Sequence, residues 1–327
     1  MLTIDTHVDI PWPDRGDAFG PSPRCVDFAK MRAGGLDAVF LAAYVPQGPR
    51  TDEGFAAATG RALAMLEAIK ALGRTQDGIE VRICDTADAI LAAKAAGAIA
   101  VIPCVENGQA IGQDLGVLAR FRALGARYLT ITHNGHNLLA DSSRPIAGFG
   151  DGAALHGGLS GFGREAIAEL NRLGMLVDVS HLSHDAALQA ASASATPIIA
   201  THSCVRALCD APRNADDALL DAIRDVGGVC SVTAVPSFLR RDGRAADITC
   251  ADYADHVDYV VRRCGVACAG ISSDFDGGGG FTGWRDASET GNLTAELERR
   301  GYGEAELEAM WSGNVLRLLR QAEAAGA

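Results

Sequence analysis

Lysine is nearly absent from this chain. Of its 327 residues only Lys30, Lys70 and Lys94 are lysines, and the net charge is −12. A nucleic-acid partner needs a basic surface that displaces counterions, so that class is disfavoured. No apolar stretch is long and uncharged enough to span a bilayer, and none of the opening residues form a basic segment with an apolar core. Neither a membrane span nor a signal peptide is therefore expected. The nine cysteines never form a CxxC pair, and Cys264 and Cys268 give only CxxxC. Scattered single cysteines point to a reduced, cytoplasmic protein with mostly buried thiols. The glycine turn of a dinucleotide fold is missing after the first apolar run, where "DTHVD" stands instead. "GLSGFG" (158–163) lacks the GxSxG spacing of a nucleophile elbow.

What is present is a rhythm. Apolar runs rich in β-branched residues occur at 2–5, 37–45, 98–105, 126–132, 174–180, 196–201, 227–234 and 268–273. Alanine- and leucine-rich helical stretches separate them, at 55–72, 86–96, 115–124, 163–173, 184–194, 215–226 and 252–264. This alternation predicts βα units on a parallel sheet. Eight such units predict a (β/α)8 TIM barrel, one domain over residues 1–327, closed by C-terminal helices at 294–300 and 303–322. "IEVRIC" (79–84) reads as an addition between the second and third units. An open doubly wound sheet is the alternative architecture.

The strand ends of a barrel converge on one mouth. Here they carry His7 and Asp9, Glu106, His133, His181, His202 and Asp274. A lone histidine after a strand is more often a hydrogen-bonded loop residue than a ligand. Six strands ending in such groups are harder to explain without a metal, because a buried cluster of imidazoles and carboxylates is costly to desolvate. The donor set suits zinc and its neighbours. Its size favours two ions: His7, Asp9, His181 and His202 as single-atom ligands, with Glu106 placed to bridge. No lysine stands at a strand end, which disfavours both a carboxylated-lysine bridge and a Schiff-base aldolase. His7 and Asp9 share a face because alternate strand residues do.

These stretches resemble the membrane (renal) dipeptidase family, peptidase family M19, in a soluble bacterial form. The matching segments are "DTHVDIPW", "VENGQAI", "LGVLARFRALGARYLTITHN", "GLSGFGREAIAELNRLGMLVDVSHLS", "ATHS", "RN" at 213–214 and "GISSDFDG", in order across nearly the whole chain. The resemblance implies a metal-dependent, amidohydrolase-like barrel that acts as a dinuclear zinc metallo-dipeptidase. It implies one zinc on His7 and Asp9, a second on His181 and His202, and Glu106 between them. A metal-bridging hydroxide would attack the peptide bond of a dipeptide, including L-Xaa-D-Xaa pairs. By the same resemblance His133 polarises the scissile carbonyl, Arg213 binds the terminal carboxylate, and Asp274 is the acid/base. Asp276 is the alternative for that last role, since "DFD" offers two carboxylates. The resemblance also leaves a homodimer open.

The family's "VEGGH" reads "VENGQ" here, the cysteine after "THN" is Gly135, and the segment after strand seven is "TAVPSFL". These departures bear on substrate range. A rival hydrolase of cyclic amides, lactones or phosphotriesters would show HxH after strand one and a bridging lysine after strand four, where His7-x-Asp9 and His133 stand. His136, His156, His184 and His256 are expected at the surface or behind the ligands, and His184 with Ser183 as a helix start. Asp5 and Asp178 are candidates to orient ligands. "GGGG" (277–280) reads as a flexible loop or a phosphate cradle. Trp284 is a candidate pocket wall, and Trp12 a packing residue.

Overall fold

A computed structural model describes residues 1–10 and 18–326. Eight strands form the barrel: β1 (Ile4–Asp9), β2 (Ala38–Tyr44), β5 (Ile99–Glu106), β6 (Tyr128–Thr130), β7 (Leu176–Asp178), β8 (Ile199–Ala200), β9 (Val229–Val232) and β10 (Ala269–Ile271), hydrogen-bonded in that order. Every one of these neighbours pairs in parallel. The ring nearly closes beyond β10, where Asp9 N donates to Phe275 O (3.0 Å) and Asp274 N to His7 O (3.1 Å). The predicted barrel is the observed fold.

The segment read as an addition forms a hairpin of β3 (Thr75–Gln76) and β4 (Ile79–Ile83). Its turn, Asp77-Gly78, has φ of 52° and 76°, the left-handed pair that a two-residue hairpin requires. β4 pairs with the lower half of β5 (Val81 with Ile99), while β6 pairs only with its top (Glu106 with Thr130). The hairpin therefore covers an edge that β6 leaves open.

Alternation divides the core. Ile4, Phe40, Ile102, Tyr128, Leu176, Ile199 and Val229 fill the barrel, and Val315, Leu316, Leu318, Leu319 and Ala322 of the last helix join them as its floor. The opposite residues, such as Val39, Leu41, Val101 and Val177, meet the surrounding helices. Side-chain caps start most of those helices: Thr51 for Asp52–Lys70, Ser160 for Gly161–Arg172, Ser183 for His184–Ala193, and Asp216 for Asp217–Asp225. All nine cysteines are free thiols, six of them buried.

Three expectations need correction. The final helix is not continuous over 303–322: it runs Glu304–Glu308, widens over Ala309–Gly313, and resumes at Asn314–Ala325. There Asn314 Nδ2 donates to Val266 O and Ala269 O (2.7 and 2.8 Å), tying the break to β10. Trp284 does not wall a pocket. It is fully buried among Tyr253, Phe275, Phe281 and Trp311. His136 and His256 are not at the surface: each accepts a backbone N–H at Nδ1, from Ser142 and Val205, and meets a carbonyl at Nε2. Trp12 lies outside the described residues.

Candidate metal centre

β1 carries a bulge between Asp5 and Val8, which delivers two consecutive side chains to different tasks. Thr6 Oγ1 reaches across the barrel to Thr201 O (2.8 Å) and Ile271 O (3.1 Å). The next side chain, His7, turns up to the mouth, with Nε2 3.4 Å from Asp9 Oδ1 and 3.6 Å from Glu106 Oε2. Glu106, the last residue of β5, sits at the centre. Its Oε1 lies 3.1 Å from His181 Nε2 and 3.4 Å from His202 Nε2, and those two nitrogens are 2.9 Å apart. Asp274 Oδ1 completes the rim, 3.9 Å from His7 Nε2. The His133 ring lies 4.3 Å from the His181 ring, tilted by 40°, and meets Tyr44 edge-on at 4.8 Å.

The backbone is held in unusual conformations to do this. His181, Asp274 and Asn107, each just beyond a strand, have φ of 70°, 57° and 86°. Left-handed non-glycine residues are strained and persist where the surroundings over-determine them. Gly277 shows how tight the rim is: a Cβ there would lie 2.4 Å from Asp274 Oδ1 and 2.8 Å from Asp9 Oδ2. The glycine run is thus a close approach to the two carboxylates.

Hydrogen bonds fix which imidazole nitrogen is bare. Tyr128 donates its hydroxyl to Thr6 O (3.2 Å) and so accepts from His7 Nδ1 (2.7 Å). Thr201 donates to Asp178 Oδ2 (2.7 Å) and accepts from His202 Nδ1 (2.8 Å). Asp178 is anchored in turn by Thr130 Oγ1 and by the amides of Ser180 and Thr201. Both histidines are left with an Nε2 lone pair facing Glu106, as metal-bound histidines require. Asp5 serves the backbone instead, accepting from His7 N and Ser273 N and so clipping β1 to the end of β10.

The electrostatics are those of crowded, desolvated groups. Burial and the nearby Glu106 push Asp9 up to about 6. Asp274 is raised well above the carboxylate range by burial, and Asp9 and Glu106 add to the effect. Glu106 goes the other way: burial alone would raise it, but His7, His181 and His202 hold it well below its ordinary value. Burial drives His202 down to about 3 and lowers His181 and His133, with Arg213 adding to each.

Arg213 is buried at the side of the same cavity, its Nη2 donating to His202 O (2.9 Å) and its Nη1 to Ser203 Oγ (3.4 Å). The cavity, about 170 Å³, is lined by Asp9, Glu106, His133, Arg213 and Asp274 with Arg144 and Phe238. Asp276 points elsewhere, accepting from the amides of Cys25 and Val26 (2.9 and 3.2 Å).

The whole chain, residues 1–327, matches the family described as membrane dipeptidase (peptidase family M19). The protein belongs to that family. It is 32% identical to dipeptidase verJ of Clonostachys rogersoniana over 98% of this chain and 84% of that one. Its fold superposes on the probable dipeptidase PvdM of Pseudomonas aeruginosa with a TM-score of 0.93, at 28% identity, covering 99% and 96% of the two chains. A metallopeptidase of Rhodobacter sphaeroides, bound to a phosphinate mimic of the dipeptide L-Ala-D-Ala, aligns with a TM-score of 0.84 at 27% identity, covering 98% and 99%. The protein is a metallo-dipeptidase.

Several groups around this dipeptidase's site carry no obvious signal in the sequence. Tyr128 lies inside a strand as an ordinary aromatic. Alternation with Thr130, another inward polar group, is the clue that could have found it. Arg144 stands in an irregular segment and Phe238 in the single-turn helix Pro236–Leu239, where no periodicity points. His184 pairs with Asp216 (2.9 Å) at a helix start, and His156 Nε2 meets Asn137 O (2.9 Å), so both serve structure. Among the described residues no helix is long and apolar enough to cross a membrane.

Proposed function

We propose that this protein hydrolyses the peptide bond of dipeptides, L-Xaa-D-Xaa pairs included, using two zinc ions held by His7 and Asp9, by His181 and His202, and jointly by Glu106. One observation carries this reading: five donors from four strands converge with ligand atoms that nothing else claims. His7 Nε2 and Asp9 Oδ1 are buried without a hydrogen-bond partner. The Nε2 atoms of His181 and His202 face each other across 2.9 Å beside the Glu106 carboxylate. Imidazoles and carboxylates are a zinc donor set, so the residues fit the group.

Bound zinc supplies an ionised water near neutral pH and positive charge for a carbonyl oxygen. The chain does the rest. Asp274, whose carboxyl binds protons unusually well in this setting, takes a proton from the attacking water and delivers it to the departing amine. Asp276, committed to the 25–26 backbone, is poorly placed for that transfer. His133, kept neutral by burial, presents an N–H to the developing oxyanion. Arg213 has a buried Nε without a partner and forks the substrate's terminal carboxylate, which sets register and disfavours longer peptides.

Residues 1–327 are read as one barrel domain with its terminal helices over 294–322. Nine free thiols suit a reducing compartment such as the cytoplasm. A homodimer is the assembly to test by light scattering.

The deciding experiment gives zinc-loaded protein a panel of L,L and L,D dipeptides beside tripeptides, with Glu106→Ala in parallel and metal content measured on both. Turnover of dipeptides alone, with two zinc ions per chain that the variant loses, is the expected result. No turnover from protein holding two metals would move cyclic amides and lactones to the front.

A further inference from the structure

Arg144 is a cation that lines the substrate cavity and, among the described residues, has no counter-charge. The guanidinium groups of Arg172, Arg263 and Arg300 lie within 2.9 Å of carboxylates. Among the described residues Arg144 has no carboxylate within ion-pair distance, and its side chain donates no hydrogen bond. Its one close partner is the ring of Phe238, 5.1 Å from the guanidinium carbon, and Arg213 lies 5.4 Å from the same ring. Both arginines line the cavity that holds Asp9, Glu106, His133 and Asp274.

The arrangement is built. Gly135 N donates to Arg144 O (2.7 Å), and Arg144 N donates to Ser142 Oγ (3.2 Å), which fixes the backbone of the residue within its long loop. Phe238 is held from below by Asn214, whose Nδ2 donates to Phe238 O (2.8 Å). A guanidinium laid on an aromatic face keeps the N–H groups of its edge free to fork a planar anion. The same cavity thus carries the acidic residues of the metal centre and two arginines. A dipeptide's single terminal carboxylate occupies one of them.

We infer that Arg144 and Phe238 form a second anion subsite beside Arg213, one that selects dipeptides whose C-terminal residue has a carboxylate side chain. The shared ring sets the choice of residue, since it places Arg144 beside the group that holds the α-carboxylate. The inference rests on the dipeptidase reading and deepens it.

The test compares kcat/KM of zinc-loaded wild type, Arg144→Met and Arg144→Lys on Ala-Glu and Ala-Gln, each with an L and a D C-terminal residue. These pairs differ in charge and hardly in shape. Wild type should favour the acid by about tenfold or more, the scale of one charge-assisted hydrogen-bonded pair. The ratio should fall to near one in Arg144→Met and recover in part in Arg144→Lys. Dipeptide turnover without an acid preference, or a preference that survives Arg144→Met, overturns the subsite while leaving the dipeptidase intact. Loss of both peptides by the same factor also overturns it, because Arg144 would then hold the α-carboxylate. If no dipeptide is cleaved at all, the functional reading fails and calorimetry decides the subsite. Zinc-loaded Asp274→Asn, with and without Arg144→Met, should then bind Ala-Glu over Ala-Gln only while Arg144 is present, and equal binding rejects the proposal.

Discussion

Tyr128 and Asp178 stand one step behind the ligand atoms, yet each decides where a proton sits. Tyr128 accepts a hydrogen bond from His7 Nδ1 directly, and Asp178 acts on His202 through Thr201. Tyr128→Phe keeps the ring and its volume while removing the acceptor. It should lower zinc affinity by about 10- to 100-fold, as the loss of a histidine's outer partner does. A competitive chelator titration reads this, and an unchanged affinity together with an unchanged fold would sink the tautomer argument. At this scale the sequence was informative about groups that end an apolar run, because a polar residue there needs a reason. His7, Glu106, His202 and Asp274 announced themselves in that way. Tyr128 did not, since tyrosine belongs in a strand for packing alone, and its hydroxyl partner lies 121 residues away.

Among the elements, the loop from β6 to the helix Gly161–Arg172 has the most to explain. It carries His133 and Arg144, has little regular structure, and is held instead by two carboxylates. Asp141 accepts from the amides of Leu155 (2.7 Å), His156 (3.0 Å) and Gly158 (2.9 Å). Asp151 accepts from Ile146 N and His136 N and pairs with Arg50. Burial opposes ionisation of Asp141, but the amides of Gly158, Leu155 and His156 outweigh it and hold its carboxyl below the ordinary range. A folded value below the unfolded one means that the contribution to stability is complete above the ordinary value. It is lost as the pH falls through the lowered one. Asp141→Asn should therefore speed hydrogen exchange of amides 155–158 about tenfold at pH 7. The gap from wild type should close once the pH drops below the carboxylate range. Equal exchange at pH 7 would show that the carboxylate does not hold the loop. The strands were legible as apolar runs because two-sided burial imposes them, although β8 keeps only Ile199 and Ala200 in regular pairing. The loop was not, because a carboxylate that gathers backbone amides leaves no periodic trace in the sequence.

For the molecule as a whole, the metal centre is a concentration of like charge buried at the mouth of the barrel. Asp9, Glu106 and Asp274 share one rim, and burial, with that company adding to it, makes Asp9 and Asp274 hold a proton more readily than ordinary carboxylates. Zinc that binds only the folded state should relieve it. At a free concentration 100 times the dissociation constant the gain is about 2.7 kcal/mol. For a chain of this length that raises the midpoint of thermal unfolding by roughly 4 °C. Calorimetry with zinc and with excess chelator measures the difference, and coincident transitions would refute a site formed from these residues. The bond from Thr6 to Ile271 closes the ring across 265 residues of chain. A ribosome adding 5–20 residues each second needs about 15–50 s to cover that interval. Through most of that time His7 and Asp9 have no opposite wall to meet. The full donor set accordingly comes together late in synthesis, set by when the far edge of the barrel emerges.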